Sequence, residues 1–267
     1  MRRVLLGALG VVMVAPFLYM MSVSFMGEGE LLRWPPALLP ASPTTGNYAA
    51  AFQALSYTRV LLNTAILAGC VMVGQVLTSA AAGYAFARMR FPGRDRIWTS
   101  LLAMLAIPAI VLLIPRYLII DALGWVDTYP GLISTELVSV WGIFLMRQTF
   151  VMLPRDVEDA ARLDGAGEWT MFWRVTLPLA RPAVAALAML AFMDQWRNFL
   201  WPLVVTRSAR MEVAEVALAH FHSTYLTNWP YLMAAAVLIT LPVLLAGLLA
   251  QRYVMQGLRI TGAELRS

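Results

Sequence analysis

Asp194, Gln195, Trp196, Arg197 and Asn198 follow one another inside a stretch that is otherwise apolar. Charge in hydrocarbon costs about 2.5–3.5 kcal/mol per residue on insertion scales, so residues of this kind need a partner or a purpose. Asp194 and Arg197 stand i,i+3 apart, which on one helix lets the pair neutralise itself. The other reading is a polar face along a solute route. Trp196 and Trp201 would then be flat aromatic walls for a sugar ring, with Asp194, Arg197 and Asn198 bonding its hydroxyls. An arginine at 197 also suits an anionic solute such as a glycerol phosphate.

A second constellation is charged rather than buried. Pro154 to Pro182 carries Asp156, Glu158, Asp159, Asp164 and Glu168 among Arg155, Arg162, Arg174 and Arg181. Apolar runs flank it, so it belongs outside the bilayer. Pro154 can open a short helix because a first-turn residue needs no N–H. The acidic residues crowd the positive end of the helix dipole, and Gly165 is a C-terminal stop. Ala160 and Ala161 allow a partner close to the backbone. Trp169, Met171, Phe172 and Trp173 put four large apolar side chains within five residues, which predicts a docking knob. An amphipathic segment resting on lipid headgroups is the competing reading. His220 and His222 lack further ligands and are two apart, so no metal site is expected.

The elements that must hold these residues are membrane helices. Of 267 residues 60% are hydrophobic and 13% charged, against about 25% charged in soluble domains. All twenty basic residues are arginine. Without lysine the chain has no P-loop of the usual kind, so any ATP must be hydrolysed by another subunit. The formal charge of +5 fits cytoplasmic loops better than nucleic acid. Cys70 lies in an apolar run and is expected to be a packing residue.

The hydropathy predicts an all-α protein with six spans, near 4–25, 60–86, 97–120, 132–150, 182–205 and 230–250, forming one membrane domain over residues 1–267. An external segment (26–56) includes a short surface helix after PTTGNY. Asn63, Thr64, Gln75, Thr78, Ser79 and Gly83 read as close helix packing. Pro108 and Pro115 predict a kinked third span. Arg116 is expected to snorkel at its outer end, and Glu136 to lie near the outer end of the fourth. Arg2 and Arg3 put the N-terminus inside as an uncleaved anchor. Fourteen of the twenty arginines then fall on inner segments, which places both termini and the loop 151–181 in the cytoplasm.

Asp159-Ala160-Ala161, three residues, Gly165, nine residues, Val175-Thr176-Leu177-Pro178 resembles the EAA loop of ABC-importer permeases, with Asp for Glu at 159 and Val for Ile at 175. AGYAFARMRFPGR, the WNxFLWP-like DQWRNFLWP (Arg197 where Asn is usual) and the closing QRYVMQGLRITGAELRS resemble the carbohydrate-uptake branch of that family, in particular the smaller six-span partner of maltose and glycerol-phosphate systems. The resemblance implies that 151–181 is a coupling loop for an ATPase, with Asp159, Ala160, Ala161, Asp164, Gly165, Trp169, Phe172 and Pro178 at the contact. It implies a second permease, two ATPase subunits, an extracytoplasmic solute-binding protein and residence in a bacterial or archaeal cytoplasmic membrane. It implies no covalent chemistry and no cofactor. An ion-coupled carrier using Asp194, Arg197 or Glu136 is the alternative; it would be expected to show inverted repeats, and none is evident.

Overall fold

The computed structural model describes residues 2–31, 34–35, 37–224 and 228–263. Helices occupy most of them: α1 (Arg2–Ser24), α2 (Gly46–Ala54), α3 (Tyr57–Arg88), α4 (Arg94–Met104), α5 (Leu113–Ala122), α6 (Tyr129–Ile133), α7 (Val140–Met152), α8 (Asp156–Leu163), α9 (Glu168–Thr170), α10 (Leu177–Leu179), α11 (Arg181–Trp196), α12 (Leu200–Val205), α13 (Ala214–Thr224) and α14 (Trp229–Ala263). Met171–Thr176 is a π-helical stretch that makes 168–179 one continuous rod.

Leu5–Ser24, Tyr57–Arg88 and Trp229–Leu248 are long and apolar enough to cross a membrane unbroken. Three further helix pairs are long and apolar enough only when taken together, and each is bent: Arg94–Met104 with Ala109–Ala122 (98°), Tyr129–Glu136 with Val140–Met152 (43°), and Glu168–Leu179 with Arg181–Trp196 (79°). Six crossings therefore fit the chain. Proline explains where several of these helices stop. It lacks the N–H that would bond the carbonyl four residues back, and its ring clashes there. Pro108 thus ends the helix that stops at Met104, and Pro182 stands at the 79° bend. The fifth span departs from expectation for the same reason. It is not continuous to residue 205: α11 ends at Trp196, and Pro202 denies a hydrogen bond to the Asn198 carbonyl before α12. The polar cluster therefore sits at a helix end, not midway along a span.

The chain divides into two compact units, Met1–Thr64 with Ser208–Leu245, and Ala65–Arg207 with Ala246–Ser267. In the first, Ala51, Leu55 and Val60 bury against Ala214, Ala217, Ala234, Ala235 and Ile239. Of the residues read as helix-packing, Asn63 bonds the loop before α13, its Nδ2 donating to the carbonyls of Arg210 (3.0 Å) and Glu212 (2.8 Å), and Thr64 meets α13 itself, its Oγ1 accepting from Ala214 N (2.9 Å) at the helix start. Glu30 organises the 26–56 segment, accepting from Gly27 N (3.2 Å) and Ala41 N (2.8 Å).

In the second unit, α3 and α7 meet along small residues, as small-residue membrane interfaces do. A Cβ on Gly83 would lie 2.8 Å from Arg147 N, and one on Gly142 would collide with Ser79 Oγ. Tyr84, Met146, Phe150, Met171, Phe172 and Leu187 form the core beneath that contact.

Candidate functional site

Two places in the second unit collect the candidate residues. At the first, α8 opens with Asp156, Glu158 and Asp159 in its first turn. Pro154, expected to open this helix, stands just outside it. The helix closes in a Schellman motif: Gly165 N donates to Arg162 O (3.0 Å) and Ala166 N to Ala161 O (3.0 Å), with Gly165 at φ +83°. A side chain at 165 would meet nothing within 4 Å, so the backbone angle alone calls for glycine.

What seats α8 is a residue the sequence reading passed over. Glu158 is buried and accepts from Arg88 Nε at 2.8 Å, while Arg88 Nη2 donates to Leu153 O at 2.8 Å. The end of α3 is thereby pinned to α8. Tyr84 OH donates to Glu168 Oε2 (2.9 Å), and Arg162 approaches Glu168 (3.3 Å) and Asp159 (3.5 Å).

The four-residue apolar knob is divided. Met171 and Phe172 are buried in the core, Phe172 against Tyr84 with ring centroids 5.2 Å apart. Trp169 is 75% exposed and packs edge-on to Trp173 at 5.7 Å. Helical period separates them, since neighbours in sequence point about 100° apart. Asp159, Ala160, Asp164 and Gly165 are exposed, and Ala161 and Pro178 are half-buried. The face left open includes two residues not singled out from sequence, Val157 and, 90% exposed, Leu163. With Ala160 they recur every third residue, a spacing that was readable.

The second place is a cavity of about 650 Å³ where α11 breaks, lined by Asp194, Arg197, Asn198 and Trp201 together with Arg116 and Glu136. The structure brings four of the five expected pathway residues together. Trp196 is the exception: it is buried and packs on Phe192, 5.5 Å between centroids. Nor do Asp194 and Arg197 neutralise each other. Among the described residues no ion pair joins them, although Arg197 N still donates to Met193 O at 3.3 Å and keeps the helical register. Both are exposed to the cavity.

The neutralised pair is Arg116 with Glu136. Arg116, expected to snorkel, instead bonds Thr135 Oγ1 (2.7 Å) and lays its guanidinium 4.2 Å over the Trp201 ring. Trp201 Nε1 donates to Leu132 O (3.1 Å) and the residue is buried, so this tryptophan, expected as an open wall for a sugar ring, is instead a platform for Arg116. Asn198 Nδ2 donates to Gln195 Oε1 at 3.0 Å, and Gln75 Nε2 to Glu136 O at 2.9 Å. The signal missed in sequence was two opposite charges twenty positions apart in adjoining spans.

Elsewhere, His220 Nδ1 lies 2.9 Å from Glu212 Oε1. The side chains of His222 and of the 251–267 tail lie outside the described residues.

The chain is 32% identical over 260 residues to the sn-glycerol-3-phosphate transport system permease protein UgpE of Agrobacterium fabrum, covering 94% of this chain and 92% of that one. It is 34% identical over 254 residues to the arabinooligosaccharides transport system permease protein AraQ of Halalkalibacterium halodurans, covering 94% and 91%. In fold it matches a chain of a bacterial ABC transporter involved in import of the acidic polysaccharide alginate, with TM-score 0.83, 24% identity and 94% of both chains covered. The ion-coupled alternative is accordingly set aside. Residues 75–260 match the family described as binding-protein-dependent transport system inner membrane component, and the chain belongs to that family.

Proposed function

We propose that this chain is one of two permease subunits of an ATP-driven importer that moves a carbohydrate or related polyol across the bacterial cytoplasmic membrane. The observation that carries the reading is the cavity at the α11 break. It offers Asp194, Arg197 and Asn198 as hydrogen-bonding groups, a mix of acceptors and donors suited to vicinal hydroxyls. Its lining carries two guanidiniums and two carboxylates, Arg116 paired with Glu136 and Arg197 and Asp194 without an ion pair between them, so its formal charge is zero, which favours a hydroxylated solute over a strongly anionic one. The relative named for arabinooligosaccharides supports this preference, and the one named for glycerol phosphate supports only the wider class of polyol-derived solutes.

Energy enters from a separate ATPase seated on the 154–179 segment, where Val157, Ala160, Leu163 and Trp169 are open and Glu158 ties any displacement of α8 to the end of α3. Solute arrives from an extracytoplasmic binding protein. Each ligand shifts one conformational equilibrium by its differential affinity for the two states.

The test is reconstitution of both permeases, the ATPase and the binding protein in proteoliposomes. Uptake of labelled sugar should need ATP, and Arg197→Ala should impair it while the complex stays assembled. Uptake that persists without ATP, or that ignores Arg197→Ala and Asp194→Ala together, would reject the assignment.

A further inference from the structure

A second cavity, of about 440 Å³, lies beside the first and is lined by Gln75, Glu136, Ser139, Trp141 and Asp194, among others. Glu136, Leu190 and Asp194 line both cavities and form the wall between them. The first cavity uses the last turn of α11 and the chain beyond it; the second uses earlier turns, from Leu187 to Asp194. With the 154–179 segment in the cytoplasm, α11 runs outward, so the second cavity is the deeper one. Both volumes fall in the roughly 300–1,000 Å³ range of small-ligand sites.

The wall is held by specific bonds. Arg116 pairs with Glu136 from the outer-cavity side, with Thr135 and the Trp201 ring fixing the guanidinium. Gln75 holds the backbone of Glu136 through its carbonyl at 2.9 Å. The second carboxylate oxygen of Glu136 is only weakly occupied, with Gln195 Nε2 at 3.4 Å, and Asp194 is similarly underused, with Gln195 Nε2 at 3.5 Å. Two carboxylates facing both cavities thus retain acceptor capacity for hydroxyl groups. The deeper side adds Trp141, 45% exposed, and Ser139.

We infer that the deeper cavity is a second station for the hydroxylated solute, and that the Arg116–Glu136 pair is the partition a solute must displace to reach it. This rests on the importer reading above. Glu136 and Asp194 serve both stations, so a hydroxyl can pass from one to the other without both carboxylates losing contact. Arg116 holds Glu136 across the route until the spans tilt.

The test uses the complete transporter in proteoliposomes, with Cys70→Ser and Ala191→Cys; Ala191 is buried and lines the deeper cavity alone. A membrane-impermeant thiosulfonate is added from the binding-protein side. Modification should be slow with the pair intact. It should quicken by on the order of tenfold in Arg116→Ala and in the near-isosteric Glu136→Gln, because removing a coupling shifts the closed–open balance by that coupling's worth. The charge-reversed double variant, Arg116→Glu with Glu136→Arg, should slow it again, and added oligosaccharide should protect the thiol. Unchanged or slower modification in both single variants overturns the partition. Wild-type uptake, run in parallel, keeps the outcomes apart: lost ATP-dependent uptake counts against the importer reading, whereas intact uptake with unaltered thiol reactivity removes only the second station.

Discussion

Removing Glu158 should damage this protein more than removing any exposed carboxylate of the same loop. Arg88 and Glu158 are 4% and 3% exposed and 2.8 Å apart. Glu158→Ala would strand a buried guanidinium whose remaining anchor is the Leu153 carbonyl, and breaking a buried pair from one side costs about 3–5 kcal/mol. Asp159→Ala is the internal control. Its partner Arg162 is 3.5 Å away with side chains 43% and 65% exposed, and such pairs are worth about 0–1 kcal/mol. The assay is thermal unfolding of the purified permease pair, followed by ATPase capture at a temperature where each variant stays folded. Glu158→Ala should lower the midpoint well beyond Asp159→Ala. The double replacement Arg88→Met with Glu158→Leu should recover much of the loss, since an apolar substitute for both charges avoids desolvating either. Equal midpoints for Glu158→Ala and Asp159→Ala would refute the reasoning, as would a double variant no better than the single.

Three further outcomes follow from the same geometry. Gly165→Ala should cost about 1–2 kcal/mol through left-handed backbone strain alone, and Gly165→Asn less, both read from the unfolding midpoint. Trp169→Ala and Leu163→Asp should weaken ATPase capture without lowering that midpoint, whereas Phe172→Ala should lower it by an amount corresponding to about 3–5 kcal/mol because that ring is core. Gly83→Val should disrupt folding, since even a Cβ there meets the Arg147 backbone at 2.8 Å; expression and monodispersity in detergent would register it.

Much of the fold was legible because lipid leaves a chain few choices. Each stretch of apolar residues must satisfy its backbone internally, so hydropathy alone yields helices and a span count the structure fits. The α8 helix and its Gly165 stop were legible for a local reason: dipole and left-handed cap act within a few residues. Even the break before α12 was present in Pro202, whose effect reaches only four positions back.

Partnership between distant residues was not legible. Asp194 and Arg197 look paired at i,i+3, yet no ion pair joins them among the described residues, and Arg116 and Glu136 form one instead. Phe172 and Trp169 look alike in a polar loop, yet one is core and the other open. Sequence by itself determined that this is a helical membrane permease with a charged loop between its fourth and fifth spans. Tertiary structure alone decided which charges cancel and which face a cavity, because electrostatic pairing depends on distance through space, and bringing α5, the 134–136 turn and α11 together is an act of packing that no local pattern encodes.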